Sequence, residues 1–556
     1  MSKRLLLLLM AFTAACAAEP AKPLALADLP AINTDRILQD IRTLSSDEFE
    51  GRFPGSKGET LTVQYLTDQL KAIGLEPGNP DGTWIQKVGL VGIKPEPVGG
   101  FFVRKGAATH EFNINKDVVV FSRHVTDEVK LDNSEMVFVG YGVQAPELNW
   151  DDFKGMDVKG KTIVVLVNDP PVKNADGSLD DKTFGGKAMT YYGRWTYKYE
   201  KAAELGAAGV IIVHETEPAA YPFSVVQNNS GERFNLVTPD KNMSRSAIEG
   251  WISFEAATEL FRMGGQDYQK LKALAATREF KPVPLGVTAS VTVKQQMRTI
   301  DSANVVAKLT GRAPALKDEF VTYTAHWDHL GVGTPKDGDA IYNGAADNAS
   351  GVAMLMEIAR GFKAVSPAPE RSILFIFVTA EEQGLLGSQY YADFPLYPLN
   401  KTVANINIDG INQWGRTSDL TVIGLGASDL DDYAAAAAAE QSRVLKADQE
   451  PEKGFYYRSD HFNFAKKGVP AFDPDSGITF IGKPPEYGKT KREQYTKNDY
   501  HSPSDQVKPD WDLSGAAEDG RLFLAVGYRV ANADTFPQWK PGNEFKSIRD
   551  KALASK

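Results

Sequence analysis

One cysteine, seven histidines and no run of lysine or arginine in 556 residues narrow the chemistry of this chain before any motif is read. A single thiol, Cys16, excludes an intramolecular disulfide, so packing or bound ions must hold the fold. A net charge of -10 with no basic cluster excludes nucleic acid as a partner, because a polyanion is bound by grouped cations. HExxH is absent, which excludes a helix-borne zincin, and so is GxSxG, which removes the nucleophile elbow of serine hydrolases. Beyond the first dozen residues no apolar run approaches the ~20 residues of a membrane-spanning helix, so no transmembrane helix is expected in the mature protein.

The start, "MSKRLLLLLMAFTAACAAE", has a basic end, an apolar stretch and then small residues. This pattern predicts a signal peptide over 1–18 and export, to the periplasm, the outer membrane as a lipoprotein, or the medium. "TAAC" followed by alanine resembles a lipoprotein cleavage box with Thr13 where leucine is usual. A lipid anchor on Cys16 and ordinary cleavage both stay open.

The length suggests roughly two to four domains, and 42% hydrophobic with 24% charged residues describes a globular chain. "TDRILQDIRTLSSDEF" and "SKGETLTVQYLTDQLKAIGL" space their apolar residues as amphipathic helices, with Thr34 and Ser56 as N-caps and Gly74 as a stop. From about 85 to 300 short β-branched runs alternate with turns, interrupted by "YEKAAELGAAGVIIVHE", a small-residue helix leading into a strand. From about 300 the texture is α/β. The runs "ANVVAKLTG", "FVTYTAHWDH", "RSILFIFVTAEE" and "TVANINIDG" have strand length, and "NASGVAMLMEIARGFKA" is a helix between the second and third. Such alternation predicts a doubly wound sheet with a site along its carboxyl edge. "DYAAAAAAEQ" is a helix by propensity alone, and 536–556 is expected to be a loose polar tail.

His326 ends one apolar strand, Glu381 and Glu382 end another, Asp409 ends a third, Asp347 sits in the turn "NGAADNASG" that opens a helix, and His501 lies in "DYHSPSD". Groups at successive strand ends converge on one sheet edge. Imidazoles and carboxylates together suit zinc, and more donors than one ion needs suit two ions sharing a carboxylate.

"HWDH", "GAADNASG", "TAEEQGLLGS", "NIDG" and "YHSPSDQ", in this order, resemble the M28 metallopeptidases, mostly zinc aminopeptidases. "VFVGYGV", "DVKGKTIVVLV" and "KAAELGAAGVIIVHE" resemble a protease-associated (PA) domain. The resemblance implies an α/β fold, a doubly wound mixed sheet of the zinc-exopeptidase type. It also implies an N-terminal part of the peptidase domain at 30–125, an inserted β-rich PA domain at 130–285 and the catalytic domain at 295–535. It implies two zinc ions, with Asp347 bridging, His326 and Asp409 on one and Glu382 and His501 on the other. Glu381 would be the general base, Tyr500 a donor to the oxyanion, and Asp347–Asn348 a cis peptide. Asp328, two residues beyond His326, is expected to accept the imidazole N–H and fix its tautomer. His329 is read as a loop cap and His461 as a loop support. Peptides are the expected substrates. Two rivals share the fold: a receptor-like binding protein without activity, and a single-zinc glutaminyl cyclase.

Overall fold

The computed structural model describes residues 24–554 other than 220, 229 and 230. The expected signal peptide and Cys16 lie outside the described residues. In spatial order the sheet that positions the site runs Val444–Ala447, Asp419–Ile423, Ala471–Asp475, Thr402–Asn407, Phe320–His326, Ser372–Val378 and the end of the long strand Val283–Leu309. Phe320–His326 is parallel to both neighbours, with His326 opposite Val378 on one side and Thr324 opposite Asn407 on the other. Ser372–Val378 with Val283–Leu309, and Asp419–Ile423 with Ala471–Asp475, pair antiparallel, so the sheet is mixed. Every residue of the three central strands is buried, which is why they read as unbroken apolar or β-branched runs and not as alternating ones.

Helices Ser350–Ala364 and Ser514–Ala531, with the N-terminal helices Thr34–Leu44 and Lys57–Ile73, cover one face and bury Tyr323, Phe375, Met354 and Leu524. Tyr391 and Phe464, from helices Leu386–Asp393 and His461–Lys466, cover Leu374 and Ile376 on the other. The fold is thus the expected doubly wound α/β sheet. Strand order switches sides at Phe320–His326: Ser372–Val378 pairs on one side and Thr402–Asn407 on the other. This creates a crevice at the carboxyl ends, where such sheets place ligands.

The helix starts follow local chemistry. Ser56 accepts from the Glu59 amide and Gly74 closes the second helix at φ 83°. The first helix is capped by Asn33, whose side chain accepts from the Arg36 amide. Thr34, read from the sequence as the cap, is instead the first helical residue, since Asn33 already offers its oxygen at the better position.

No break separates the sheet that positions the site from the module that the sequence leads one to expect as an insertion. The strands Ile85–Lys105 and Val283–Leu309 pair antiparallel from Ile85↔Val305 to Arg104↔Thr288, and together they run out of one core into another. Residues 101–121, placed by the sequence in the peptidase part, pack in the module's core through Phe101, Val103, Phe112 and Val120. A strand crossing from one core to the next carries no turn signal at the crossing, so composition did not mark the edge. Inside the module Glu128–Phe138, Thr162–Leu166, Gly209–Val213 and Ile248–Ile252 are parallel neighbours. Helices Phe254–Gly264 and Trp195–Glu204 lie on opposite faces.

The tail, expected to be loose, is folded. Trp539 and Phe545 are buried against Tyr457 and Phe462, and Lys546–Ala554 is helical. Two aromatic side chains in a polar stretch supply the apolar area that anchors it.

Candidate metal centre

The crevice gathers the predicted residues. His326 Nε2 lies 3.1 Å from Asp409 Oδ1, 3.4 Å from Asp347 Oδ1 and 4.0 Å from Glu381 Oε2. His501 Nε2 lies 3.3 Å from Asp347 Oδ2 and 3.0 Å from Glu382 Oε2. Asp347 therefore turns one oxygen to each imidazole and stands between two groups of donors, as a bridging carboxylate must. His326, Glu381 and Asp409 form one cluster of donor atoms within 4.8 Å of one another, and His329, Asp347 and Glu382 form a second.

The turn that carries Asp347 is held from three sides. The Asp347–Asn348 peptide is cis, as the resemblance implied. Asp505 accepts from the amides of Ala346 and Asp347, both at 3.0 Å. Asn348 donates to Ile408 O at 3.0 Å and accepts from the Gly351 and Gly410 amides, tying the turn to the loop of Asp409. Gly344 has φ 57°, and a Cβ there would meet Asp347 O at 2.2 Å and the His329 ring at 2.6 Å, so only glycine fits.

Asp328 differs from expectation. The His326 Nδ1 partner is the backbone carbonyl of Asp328 at 3.1 Å, while its carboxylate stands 3.8 Å away. That carboxylate instead accepts from the amides of Glu381 (3.0 Å) and Glu382 (3.3 Å) and fixes the peptide between the two glutamates. The strand ends at His326, and beyond it the Asp328 carbonyl faces the ring while the side chain reaches across to the neighbouring strand end.

His329 is fully buried and its Nδ1 lies 2.7 Å from Glu382 Oε1. It therefore orients Glu382 while the other carboxylate oxygen faces His501, a closer engagement with the site than capping a loop. His501 sits at φ 53°, and the Tyr500 ring stacks on its imidazole at 3.9 Å. Ser459 donates to Asp409 Oδ2 at 2.7 Å. His461 is buried 3.4 Å from Asp473, outside the metal clusters, and burial pushes it down to about 3.

Arg52 was not legible as a site residue. Fully buried, it donates to Trp327 O (2.8 Å), Leu44 O (2.8 Å), Asn343 O (2.6 Å) and Gly344 O (2.9 Å), under both the His326 and the Asp347 loops. Burial pushes it down to about 10, against the pull of Asp347, Asp505, Asp328 and Glu382. An arginine 275 to 292 positions from three of its four partners leaves no periodic or motif signal.

The electrostatics test whether these donors fit a cation. Burial disfavours charge on His326, yet Asp409, Glu381 and Asp347 hold its imidazole well above the ordinary range. His501 rises to about 10 through Asp347 and Glu382 despite its burial. Burial would raise Asp347, but the bonds from His326 and His501 keep it well below the usual carboxylate range. Acceptors facing imidazoles are thus reconciled only by protons on both rings. Two divalent ions would supply positive charge in place of those two protons, with the imidazoles neutral, and an N/O donor set suits zinc. The residues fit the ions that the resemblance implies.

Residues 304–525 match the model of Peptidase family M28. Aminopeptidase YwaD of Bacillus subtilis is 28% identical over 346 residues, 61% of this chain and 62% of YwaD, so the chain spans less than two thirds of that relative. An aminopeptidase from Aneurinibacillus sp. strain AM-1 superposes with a TM-score of 0.44 at 20% identity, covering 90% of this chain and 94% of that one. BSAP, a zinc aminopeptidase from Bacillus subtilis, gives 0.40 at 19%, covering 90% and 95%.

Proposed function

We propose that the chain is a dizinc aminopeptidase that removes N-terminal residues from peptides, with Glu381 as general base, a reading supported by the match of residues 304–525 to Peptidase family M28. The observation that carries the reading is Asp347, one oxygen toward His326 and Asp409, the other side toward His501 and Glu382. Under this reading His326 and Asp409 hold one ion, Glu382 and His501 the other, and Asp347 both. Bound zinc would supply Lewis acidity that polarises the scissile carbonyl and lowers the pKa of water.

The chain's own residues do the rest. Glu381 is the site carboxylate left without a ligand task, and burial raises it well above the ordinary range. It accepts a proton from the attacking water at its carboxylate and returns it to the leaving amine nitrogen. Asp328, by binding the amides of both glutamates, keeps the two carboxyls divergent. Tyr500, stacked on His501 at the open side, donates to the carbonyl oxygen as charge develops there. The inserted module, read as a PA domain, restricts entry to chain ends. Export follows from the leader alone.

The test is a panel of free and N-blocked dipeptides and amides, with and without chelator. Free-amine substrates alone should be cleaved, chelation should abolish cleavage, and elemental analysis should find two zinc ions per chain. One firmly bound zinc with cyclisation of N-terminal glutamine would favour the cyclase. Peptide binding without turnover in the metal-loaded protein would favour a receptor.

A further inference from the structure

The strands beneath the metal centre carry polar side chains that packing does not explain. Thr324, Asn405, Asn407 and Asp473 come from three neighbouring strands, Phe320–His326, Thr402–Asn407 and Ala471–Asp475, and all four are buried. Asn and Asp are poor strand formers and costly to enclose unless their donors and acceptors are met. Here they meet one another in a single file that ends at Asp409.

Asn405 Nδ2 donates to Thr324 Oγ1 at 3.2 Å, Thr324 Oγ1 to Asn407 Oδ1 at 2.7 Å, Asn407 Nδ2 to Ser459 Oγ at 2.7 Å, and Ser459 Oγ to Asp409 Oδ2 at 2.7 Å. A hydroxyl has one proton to give, so the direction of each bond fixes the next. Every proton in the file points toward Asp409. A branch sets that direction: the second N–H of Asn407 goes to Asp473 Oδ1 at 3.1 Å. Turned over, the Asn407 amide would hold its oxygen against that carboxyl oxygen and would offer Ser459 an acceptor, drawing the serine proton away from Asp409. Burial holds Asp473 well above the ordinary carboxylate range against the Asn407 bond. A proton on Oδ2, which faces His461 Nδ1 at 3.4 Å, leaves Oδ1 an acceptor in either state. With Oδ2 taken by Ser459, Asp409 keeps Oδ1 toward His326 Nε2, 3.1 Å away in the first cluster of donors.

We infer that Asn407 and Asp473 are positioning residues for the metal centre: by fixing the Ser459 proton on Asp409 Oδ2, they hold Oδ1 of that ligand toward its ion. This rests on the dizinc reading and names what keeps one of its two ion positions in shape. Among the described residues no member of the file bonds Glu382 or His501, so the effect belongs to one ion.

The test is cobalt titration of the full chain stripped of metal, followed by visible absorption, with the two binding steps assigned by their loss in His326→Ala and in His501→Ala. Asp473→Leu removes the acceptor at similar size. It should weaken the step assigned to His326 roughly tenfold or more, as loss of groups behind metal ligands does, and leave the step assigned to His501 unchanged. Ser459→Ala should weaken the same step, and adding Asp473→Leu to it should cost nothing more, because the aspartate acts through that hydroxyl. Equal weakening of both steps, no change in Asp473→Leu, or a further independent loss in the double variant overturns the inference. Asn407→Val, apolar and suited to a strand, takes the place of Asp473→Leu where that chain does not fold. If neither folds while Ser459→Ala does, the file serves the sheet, and the inference is overturned as well. No step needs turnover, so the expected shifts in a protein that cleaves nothing would sink the peptidase reading alone. A single cobalt step would sink the two-ion reading, and the cycle with Ser459→Ala then decides the inference.

Discussion

Glu381 and Glu382 are adjacent in sequence, yet their carboxyls meet different partners: Glu382 lies between His329 and His501, while the nearest imidazole to Glu381 is His326 at 4.0 Å. Glu381→Gln keeps the shape and every ligand, so it should bind zinc like the wild type and lose ~10²–10⁴-fold in kcat, the usual worth of a positioned base. Steady-state kinetics beside elemental analysis checks it, and wild-type turnover would remove Glu381 from the role. Asp328→Asn leaves a single acceptor oxygen for two amides, and the peptide between the glutamates loses one of its restraints. A fall of roughly 10–100-fold in activity or zinc affinity is expected, as for other groups that orient ligands, with no change in the His326 tautomer by NMR, because the backbone carbonyl sets it. Apart from His501, which was marked only by the motif "YHSPSDQ", the donor residues were legible because each ends an apolar strand or sits in a Gly and Asn-rich turn. The partner of each donor was not, since a bend of one or two residues decides whether a side chain or its carbonyl reaches the ring.

Among the elements, helices with a capping residue and a glycine stop were readable from local chemistry, and the catalytic strands from length and β-branching. The strands Ile85–Lys105 and Val283–Leu309 were not, because one continuous ladder serves two cores and its burial pattern changes partway along. Arg52 shows what pattern reading misses between elements. Its fork binds the carbonyls of Trp327, Asn343 and Gly344 in the metal loops and of Leu44 at the end of the first helix, and without it those of Trp327, Leu44 and Asn343 would lose this donor while Gly344 keeps only the Ala349 amide. Arg52→Met should therefore destabilise the chain by roughly 2–4 kcal/mol, the cost of stranding buried carbonyls, and weaken zinc retention by loosening Gly344 and Trp327. Urea unfolding with and without zinc measures both. An unchanged midpoint and zinc content would mean that the guanidinium is incidental to the centre.

Across the whole molecule, module, catalytic domain and tail meet around one carboxyl. Tyr457 of the catalytic domain donates to Glu544 of the tail at 3.0 Å, and Glu544 Oε2 is enclosed without a partner. Burial pushes Glu544 up to about 8 despite that bond, with Asp169 and Glu147 of the module adding negative charge. Its folded pKa thus exceeds its unfolded value, so between the two the native state holds the extra proton and stability must fall as pH rises. The contribution is complete below the ordinary carboxylate range, shrinks through neutrality and is gone above about 8. Glu544→Gln mimics the protonated form at every pH. Relative to this variant, the wild type should match in melting temperature near pH 5 and fall progressively behind toward pH 9, when both are followed by calorimetry with saturating zinc. Parallel curves over that interval would mean that Glu544 titrates as an exposed acid and that other contacts join the three parts, among them Tyr191 on Phe462, Lys466 to Glu200 at 2.7 Å and Trp539 to Gly468 O at 2.9 Å.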